Sequence, residues 1–201
     1  MSGPVSRTVV PGLGVVTVAP LDVSPGSEEL AVLHGWVGEE RARFWGMVGK
    51  SAEEVDAIYR YLDSLETHHA FWVRLDGRPV ALLQTYQPEH DPVGECYDVQ
   101  PGDLGMHLLQ APPESGAAPV PGFTELLGTA LAGHLFADPG VQRLVVEPDS
   151  RNDRALARLE RTGFELGPEI RLPDKTARLA FLPRRRLQAL LRARDLSHSS
   201  D

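Results

Sequence analysis

Hydrophobic and polar positions along this chain alternate between helical and strand spacing. The clearest helix follows Ser51, which with Glu54 forms a capping-box pattern ahead of an apolar face of Val55, Ile58, Tyr59 and Leu62. Apolar residues recur every three or four positions in five segments, which predicts helices within 27–45, after Ser51, and over 122–137, 152–162 and 184–194.

Strand patterns occupy the remaining segments, which are 14–19, 70–75, 79–86, 103–110, 141–147, 170–172 and 177–182. Asp76-Gly77 joins two of them as a tight hairpin turn. The helix between the strands ending at Gln110 and starting at Val141 implies a right-handed crossover and a parallel pair. The pattern therefore predicts an α+β fold, with a mixed, mostly antiparallel central sheet and helices on both faces.

Composition narrows the class of protein. The chain has 201 residues and a formal net charge of -8, and its composition is ordinary for a globular protein. Its single cysteine excludes an internal disulfide framework and a multi-cysteine metal site. We expect one domain over 1–201, with a loose segment at 1–14, a Pro-rich loop at 111–121 and a tail at 197–201. The acidic balance argues against a nucleic-acid partner, and no apolar run is long enough for a membrane span. We expect a cytoplasmic monomer or homodimer with no metal.

Three polar residues at strand ends are candidates for chemistry. His107 lies near the end of one strand of the parallel pair, and Asp149 and Asn152 follow the other. Each also has an ordinary structural interpretation, His107 as a packed histidine and the other two as helix caps. The ends of neighbouring strands in an open sheet form a crevice that binds ligands, which favours a site there.

Motifs in order along the chain resemble the GNAT superfamily of N-acyltransferases, and within it the hydroxamate-siderophore acyltransferases. The matching segments are Trp36-Val37, Phe44 to Met47, His68-His69, Tyr86, Tyr97, Pro101 to His107, Gly122 to Thr124, His134 to Pro139, Glu147 to Asn152, Gly163-Phe164 and Leu172 to Leu179. The resemblance covers most of the chain, from about Trp36 to Leu179.

The resemblance implies a GNAT fold whose V-shaped opening, between the strands at 103–110 and 141–147, holds acetyl-CoA or another acyl-CoA. It maps the catalytic histidine to His107 and its acidic partner to Asp149. Histidine changes charge near neutral pH and suits the removal of a proton from the attacking nitrogen. The residues that it implies for the cofactor are Leu108, Leu109, Gly122, Phe123, Thr124 and Asn152.

On the acceptor side, the resemblance implies Trp45, Met47, Tyr86 and Lys175. The glycine-rich loop that cradles the CoA pyrophosphate in many GNAT proteins is degenerate here, because residues 119–124 read PVPGFT. An aromatic residue such as Trp45 after a helix is more often part of the core, as Met47 can be too. Lys175 is at least as consistent with a solvated loop. Asn152 is equally consistent with a cap.

The resemblance implies an acyl-CoA-dependent enzyme that acylates an N-hydroxylated diamine or amino-acid side chain to a hydroxamate, for siderophore biosynthesis. The acceptor partner is then a small amine or hydroxylamine. Two alternatives stay open: an N-acetyltransferase of an unhydroxylated amine such as an aminoglycoside, and a catalytically silent regulator that binds acyl-CoA. The presence of both His107 and Asp149 favours an enzyme.

Overall fold

The computed structural model describes residues 6–113 and 122–198, and side chains up to residue 192. Its strands are β1 (Ser6–Val10), β2 (Gly14–Pro20), β3 (His68–Leu75), β4 (Arg78–Tyr86), β5 (Asp103–Gln110), β6 (Arg143–Val146), β7 (Glu165–Arg171) and β8 (Thr176–Pro183). Its α-helices are α1 (Glu28–Val37), α2 (Ala52–Asp63), α3 (Phe123–Leu135), α4 (Asp153–Arg161) and α5 (Arg184–His198). Short 3-10 helices cover Glu40–Trp45, Pro88–His90 and Pro92–Cys96.

The strands of the described chain form one mixed sheet in the order β1-β2-β3-β4-β5-β6-β8-β7. β5 and β6 run parallel, with Asp103 opposite Arg143 and Gly105 opposite Val145, whereas β1–β2, β2–β3, β3–β4, β6–β8 and β7–β8 run antiparallel. The predicted parallel pair and the mostly antiparallel sheet are confirmed. β5 continues to Gln110 after the parallel ladder, so His107 lies beyond the residues of β5 that pair with β6.

The two ends of the chain differ from the prediction. Ser6–Val10, expected to be loose, forms β1 and pairs antiparallel with β2, so that part of the prediction is wrong. Its residues are mostly exposed, so the strand owes its conformation to the ladder with β2 and carries little hydrophobic signal. Ser197 and His198 belong to α5. Residues 199–201 and most of the predicted Pro-rich loop, residues 114–121, lie outside the described residues.

The chain divides into two compact units, one drawn from residues up to Tyr86 with Met106–Leu127, and one from Gln87–Gly105 with residues from Gly128 onward. In the first unit, α1 and α2 pack together and α2 packs on β3. Trp36 and Trp72 stack in its core with ring centroids 4.7 Å apart. The predicted capping box is present, since the Ser51 hydroxyl accepts from the Glu54 amide and the Glu54 carboxylate from the Ser51 amide.

The second unit is organised around a buried ion pair at the start of the parallel ladder. The Asp103 carboxylate is 1% exposed and accepts from Arg143 Nε and Nη2, each at 2.6 Å. The Tyr97 hydroxyl donates to the same carboxylate at 3.0 Å, and burial raises the pKa of that phenol. Arg143 also lies over the Phe181 ring at 4.6 Å. These polar contacts therefore hold Asp103 and Arg143 together at the start of the ladder between β5 and β6.

Elsewhere in the second unit, α4 packs on β7 and α5 on β8. None of the helices in the described ranges combines the length and the apolar character that crossing a membrane requires.

Candidate active site

His107 is half-buried on β5 and contacts two aromatic rings of the first unit. Its imidazole centroid lies 5.2 Å from the ring of Tyr86, tilted by 37°, and 6.1 Å from that of Trp45 in an edge-to-face arrangement. The structure thus brings together three residues predicted for the site, one as the base and two for the acceptor.

Local structure holds both rings in place. Trp45 ends a 3-10 helix that Gly46 terminates in a left-handed conformation at φ 78°, and its indole Nε1 donates to the Tyr59 hydroxyl at 3.1 Å. Tyr86 is 2% exposed at the end of β4, directly opposite His68 on β3. The two rings of that cross-strand pair stack at 5.9 Å.

Other predicted residues of the first unit have different surroundings. Met47 is 9% exposed and packs in the hydrophobic core cluster, so the structure places it in the core instead of at an open surface. Leu109 belongs to the same cluster, whereas Leu108 is half-buried. Gly122 is left-handed at φ 72° just before α3, and Thr124 Oγ1 hydrogen-bonds the Gln110 side chain.

Asp149 belongs to a separate cluster in the second unit. It is 5% exposed after β6, and its Oδ1 accepts from the backbone N and Nε of Arg151 at 2.9 Å each, while Oδ2 accepts from Nη2 at 2.7 Å. Mainly because of these hydrogen bonds, the pKa of Asp149 falls from 3.8 to about 2, despite the opposing effect of burial. Asp149 is therefore an ionised carboxylate at neutral pH.

Two more predicted residues lie in this unit. Lys175 Nζ is 3.6 Å from Oε1 of Glu147, a glutamate whose side chain is 4% exposed, so Lys175 is a paired lysine and not a solvated one. Asn152 caps α4, with its side-chain oxygen accepting from the Ala155 amide at 3.2 Å. Within residues 6–113 and 122–198, no group of three or more His, Cys, Asp or Glu side chains is placed to hold a metal ion.

The low pKa of Asp149 predicts a pH-dependent contribution to stability. The folded state holds this proton more weakly than the unfolded chain, so the contribution is complete above about pH 4 and is lost as the pH falls towards 2. We expect Asp149→Asn to have a lower free energy of unfolding in urea than the unsubstituted protein at pH 7. At pH 3 the difference between the two should be smaller. The exposed Asp174→Asn is the matched control. An equal difference in free energy of unfolding at pH 7 and pH 3 would contradict the low pKa of Asp149.

Two residues around these clusters, Tyr59 and Arg143, carry no sequence signal that marks them as site residues. Tyr59 fits the pattern as one member of an apolar helix face, and its hydroxyl contact with Trp45 joins residues far apart in sequence. Arg143 fits as part of a buried strand, whereas Arg151 lies within the matched motif segment Glu147 to Asn152. The position of Arg143 opposite Asp103 follows from the parallel register, which the crossover pattern alone does not specify.

Comparison with known proteins agrees with the fold. The family model described as "Acetyltransferase (GNAT) domain" matches residues 26–172. The chain is 31% identical to N(6)-hydroxylysine O-acetyltransferase of Escherichia coli, over 74% of this chain and 47% of that protein, so it spans about half the length of that relative. It is 24% identical to N-hydroxyputrescine acetyltransferase of Acinetobacter baumannii, over 76% of this chain and 71% of that protein.

Among solved structures, the chain is similar to the aminoglycoside acetyltransferase AAC(6')-Ib in complex with paromomycin and acetyl-CoA. The TM-score is 0.71 at 26% identity, covering 86% of this chain and 96% of that chain. The same backbone architecture therefore accompanies bound acetyl-CoA in that protein.

Proposed function

The chain belongs to the GNAT acetyltransferase family, whose members take the acyl group from acyl-CoA, and on that premise we propose that it acylates the nitrogen of an N-hydroxylated diamine or amino-acid side chain. The product is a hydroxamate, which we assign to siderophore assembly in the cytoplasm. The observation that carries the proposal is the placement of His107 on β5 against Tyr86 and Trp45. The names of two curated relatives, which specify hydroxylysine and hydroxyputrescine, support this acceptor class.

In the proposed reaction, the lone pair of the hydroxylamine nitrogen attacks the thioester carbonyl carbon and forms a tetrahedral oxyanion. Collapse of the oxyanion breaks the carbon–sulfur bond and releases CoA thiolate. His107 takes the nitrogen proton and then passes it to the thiolate, so acyl-CoA and R–NH–OH become hydroxamate and CoA thiol. A backbone N–H near Leu108, on the same strand, is the proposed donor to the oxyanion.

The chain offers suitable groups for acyl-CoA, which supplies the activated thioester. Gly122 immediately precedes α3 and its carbonyl accepts from the Leu126 amide at 2.9 Å. The first-turn amides of Phe123 and Thr124 form the kind of donor set that binds pyrophosphate. We assign the amide group of Asn152 to the pantetheine arm. Lys175 remains our candidate for an acceptor carboxylate or the cofactor.

Asp149 enters the proposal as an ionised group. Its pKa of about 2 keeps it negative throughout the physiological range, as holding a substrate nitrogen requires. Its carboxylate also fixes the Arg151 guanidinium through two hydrogen bonds. We therefore propose that Asp149 contributes charge and orientation, while His107 carries the proton.

Proton availability supports this acceptor class. An alkylamine such as the lysine side chain has a pKa of about 10.4, so roughly a thousandth of it is neutral near pH 7.4. A hydroxylamine is largely neutral at that pH. A single histidine therefore suffices as base for the hydroxylated acceptor, whereas a plain amine must first lose a proton.

We expect kcat/KM for N6-hydroxylysine and N-hydroxyputrescine to exceed those for lysine and putrescine by at least about hundredfold, since the neutral fractions differ by more than that. Thiol release from acetyl-CoA measures the rate with each matched pair. The coloured ferric complex of the product identifies acylation at nitrogen. Equal rates within each pair would refute the hydroxylamine assignment.

A second candidate is N-acetylation of an unhydroxylated amine, which the similarity to AAC(6')-Ib favours. Kanamycin and spermidine in the same panel test this alternative. Turnover of kanamycin without turnover of the hydroxylamines would establish it in place of our proposal. Binding of acetyl-CoA by calorimetry, with no turnover of any acceptor in the panel, would instead indicate a silent regulator.

A further inference from the structure

Tyr59 carries a hydroxyl group into the hydrophobic core of the first unit. Its side chain is 0% exposed on α2 and belongs to a cluster that includes Leu33, Val55, Trp72 and Leu82. A phenylalanine would fill almost the same volume, and burying a hydroxyl is unfavourable unless it is hydrogen-bonded. Packing alone therefore does not explain why a tyrosine, and not a phenylalanine, occupies this position.

The partner of this hydroxyl is Trp45, whose Nε1 donates to it at 3.1 Å. Burial raises the pKa of the Tyr59 phenol, so the hydroxyl that accepts this hydrogen bond is neutral near pH 7. The N–H bond of an indole lies in the ring plane. A hydrogen bond from it to a fixed acceptor therefore restricts the rotation of the whole ring, which the left-handed Gly46 has already placed at the end of its helix.

The indole of Trp45 is in turn directed at His107. The two rings meet at 79° with centroids 6.1 Å apart, an edge-to-face geometry in which the packing energy depends on how the two rings are oriented. Tyr86, which is buried, contacts the same imidazole at 5.2 Å. Two rings thus contact the imidazole, and the hydrogen bond of one of them is to Tyr59.

We propose that Tyr59 is a positioning residue for acyl transfer, because it fixes the indole of Trp45 and Trp45 fixes the imidazole plane of His107. The inference rests on the proposed function, in which His107 accepts the nitrogen proton. A general base must lie within hydrogen-bond reach of the proton, and a displacement of about 1 Å can cost up to about a hundredfold in rate. Tyr59 therefore acts on the reaction without touching a substrate.

A kinetic double-mutant cycle tests this chain of contacts. We expect Tyr59→Phe to lower kcat about tenfold while KM for acetyl-CoA changes by less than about twofold, because only the placement of His107 is altered. Trp45→Phe removes the N–H donor and should lower kcat at least as much. The double variant should match Trp45→Phe within about twofold, since the phenol no longer has an indole to hold.

Two further variants complete the design. Tyr61→Phe lies on the same helix with an exposed side chain and is the matched control, with kcat unchanged. In a His107→Ala background, Tyr59→Phe should leave the residual rate unchanged, because the residue through which it acts is absent. Melting temperatures of all variants separate a loss of stability from a loss of rate.

The outcomes distinguish this inference from the function on which it rests. If Tyr59→Phe lowers only the melting temperature, or if its effect on kcat multiplies with that of Trp45→Phe, the inference is overturned while the role of His107 stands. If His107→Ala itself retains kcat, the proposed base is wrong and the positioning role falls with it. A tenfold loss of kcat for Tyr59→Phe that is absent in the Trp45→Phe and His107→Ala backgrounds supports the inference.

Discussion

Replacing His107 with alanine is expected to lower kcat by about a hundredfold or more, the range observed when a general base is lost. The nitrogen proton must leave as the carbon–nitrogen bond forms, and water would then have to accept it. Because His107 is half-buried at a strand surface and not part of the core cluster, the melting temperature should change little. Single-turnover thiol release with N6-hydroxylysine measures the loss at the chemical step.

A neighbouring histidine provides the control for this experiment. His68 and His69 are consecutive on β3 and therefore point to opposite faces of the strand; His68 stacks on Tyr86, whereas His69 is exposed. His69→Ala should retain normal turnover. Near-normal turnover in His107→Ala would remove this residue from the mechanism.

The second large effect is on stability, in the second unit. We expect Arg143→Ala to reduce the free energy of unfolding by about 3 kcal/mol, because it leaves a buried carboxylate without its cation. Asp103 would retain the Tyr97 hydroxyl and the Gln100 amide, which do not neutralise its charge. Urea unfolding at pH 7 measures the change.

A double substitution separates the cost of an unpaired charge from the value of the pair. Asp103→Asn with Arg143→Met leaves no buried charge, so it should recover a substantial part of the loss seen for Arg143→Ala. Arg185→Ala, at an exposed position on α5, should remain within about 0.5 kcal/mol of the unsubstituted protein. A double variant no more stable than Arg143→Ala would show that the ion pair is not the source of the effect.

Sequence patterns predicted the elements that depend on local periodicity and on short-range contacts. The capping box at Ser51 and Glu54, the hairpin at Asp76-Gly77 and the strand Asp103–Gln110 are all present in the structure. β1 was missed because its order depends on pairing with β2. β7 runs from Glu165 instead of residue 170, and its register against β8 shifts between Leu166 and Glu169, which obscures the alternation of apolar positions.

The residues of the candidate site were also predicted only in part from the sequence. Motif order predicted His107, Trp45 and Tyr86 as site residues, and the structure places the rings of Trp45 and Tyr86 each against His107. The sequence also marked Met47, which the structure places in the core. A motif specifies residue types and spacing, whereas the direction in which a side chain points after a 3-10 helix depends on the surrounding packing.

The sequence by itself determined the α+β class, the parallel pair, the family resemblance and the identity of the candidate base. Only the tertiary structure showed that Tyr59 holds Trp45, that Arg143 neutralises Asp103 and that Arg151 keeps Asp149 ionised. Periodicity and capping depend on residues close together in sequence, so they can be recognised from a single segment of the chain. The Tyr59 and Arg143 contacts join residues on different elements, so they form only when the chain is folded. The Arg151 contact spans two residues, in a loop where Asp149 bridges Ala177 of β8, so its geometry also depends on the folded sheet.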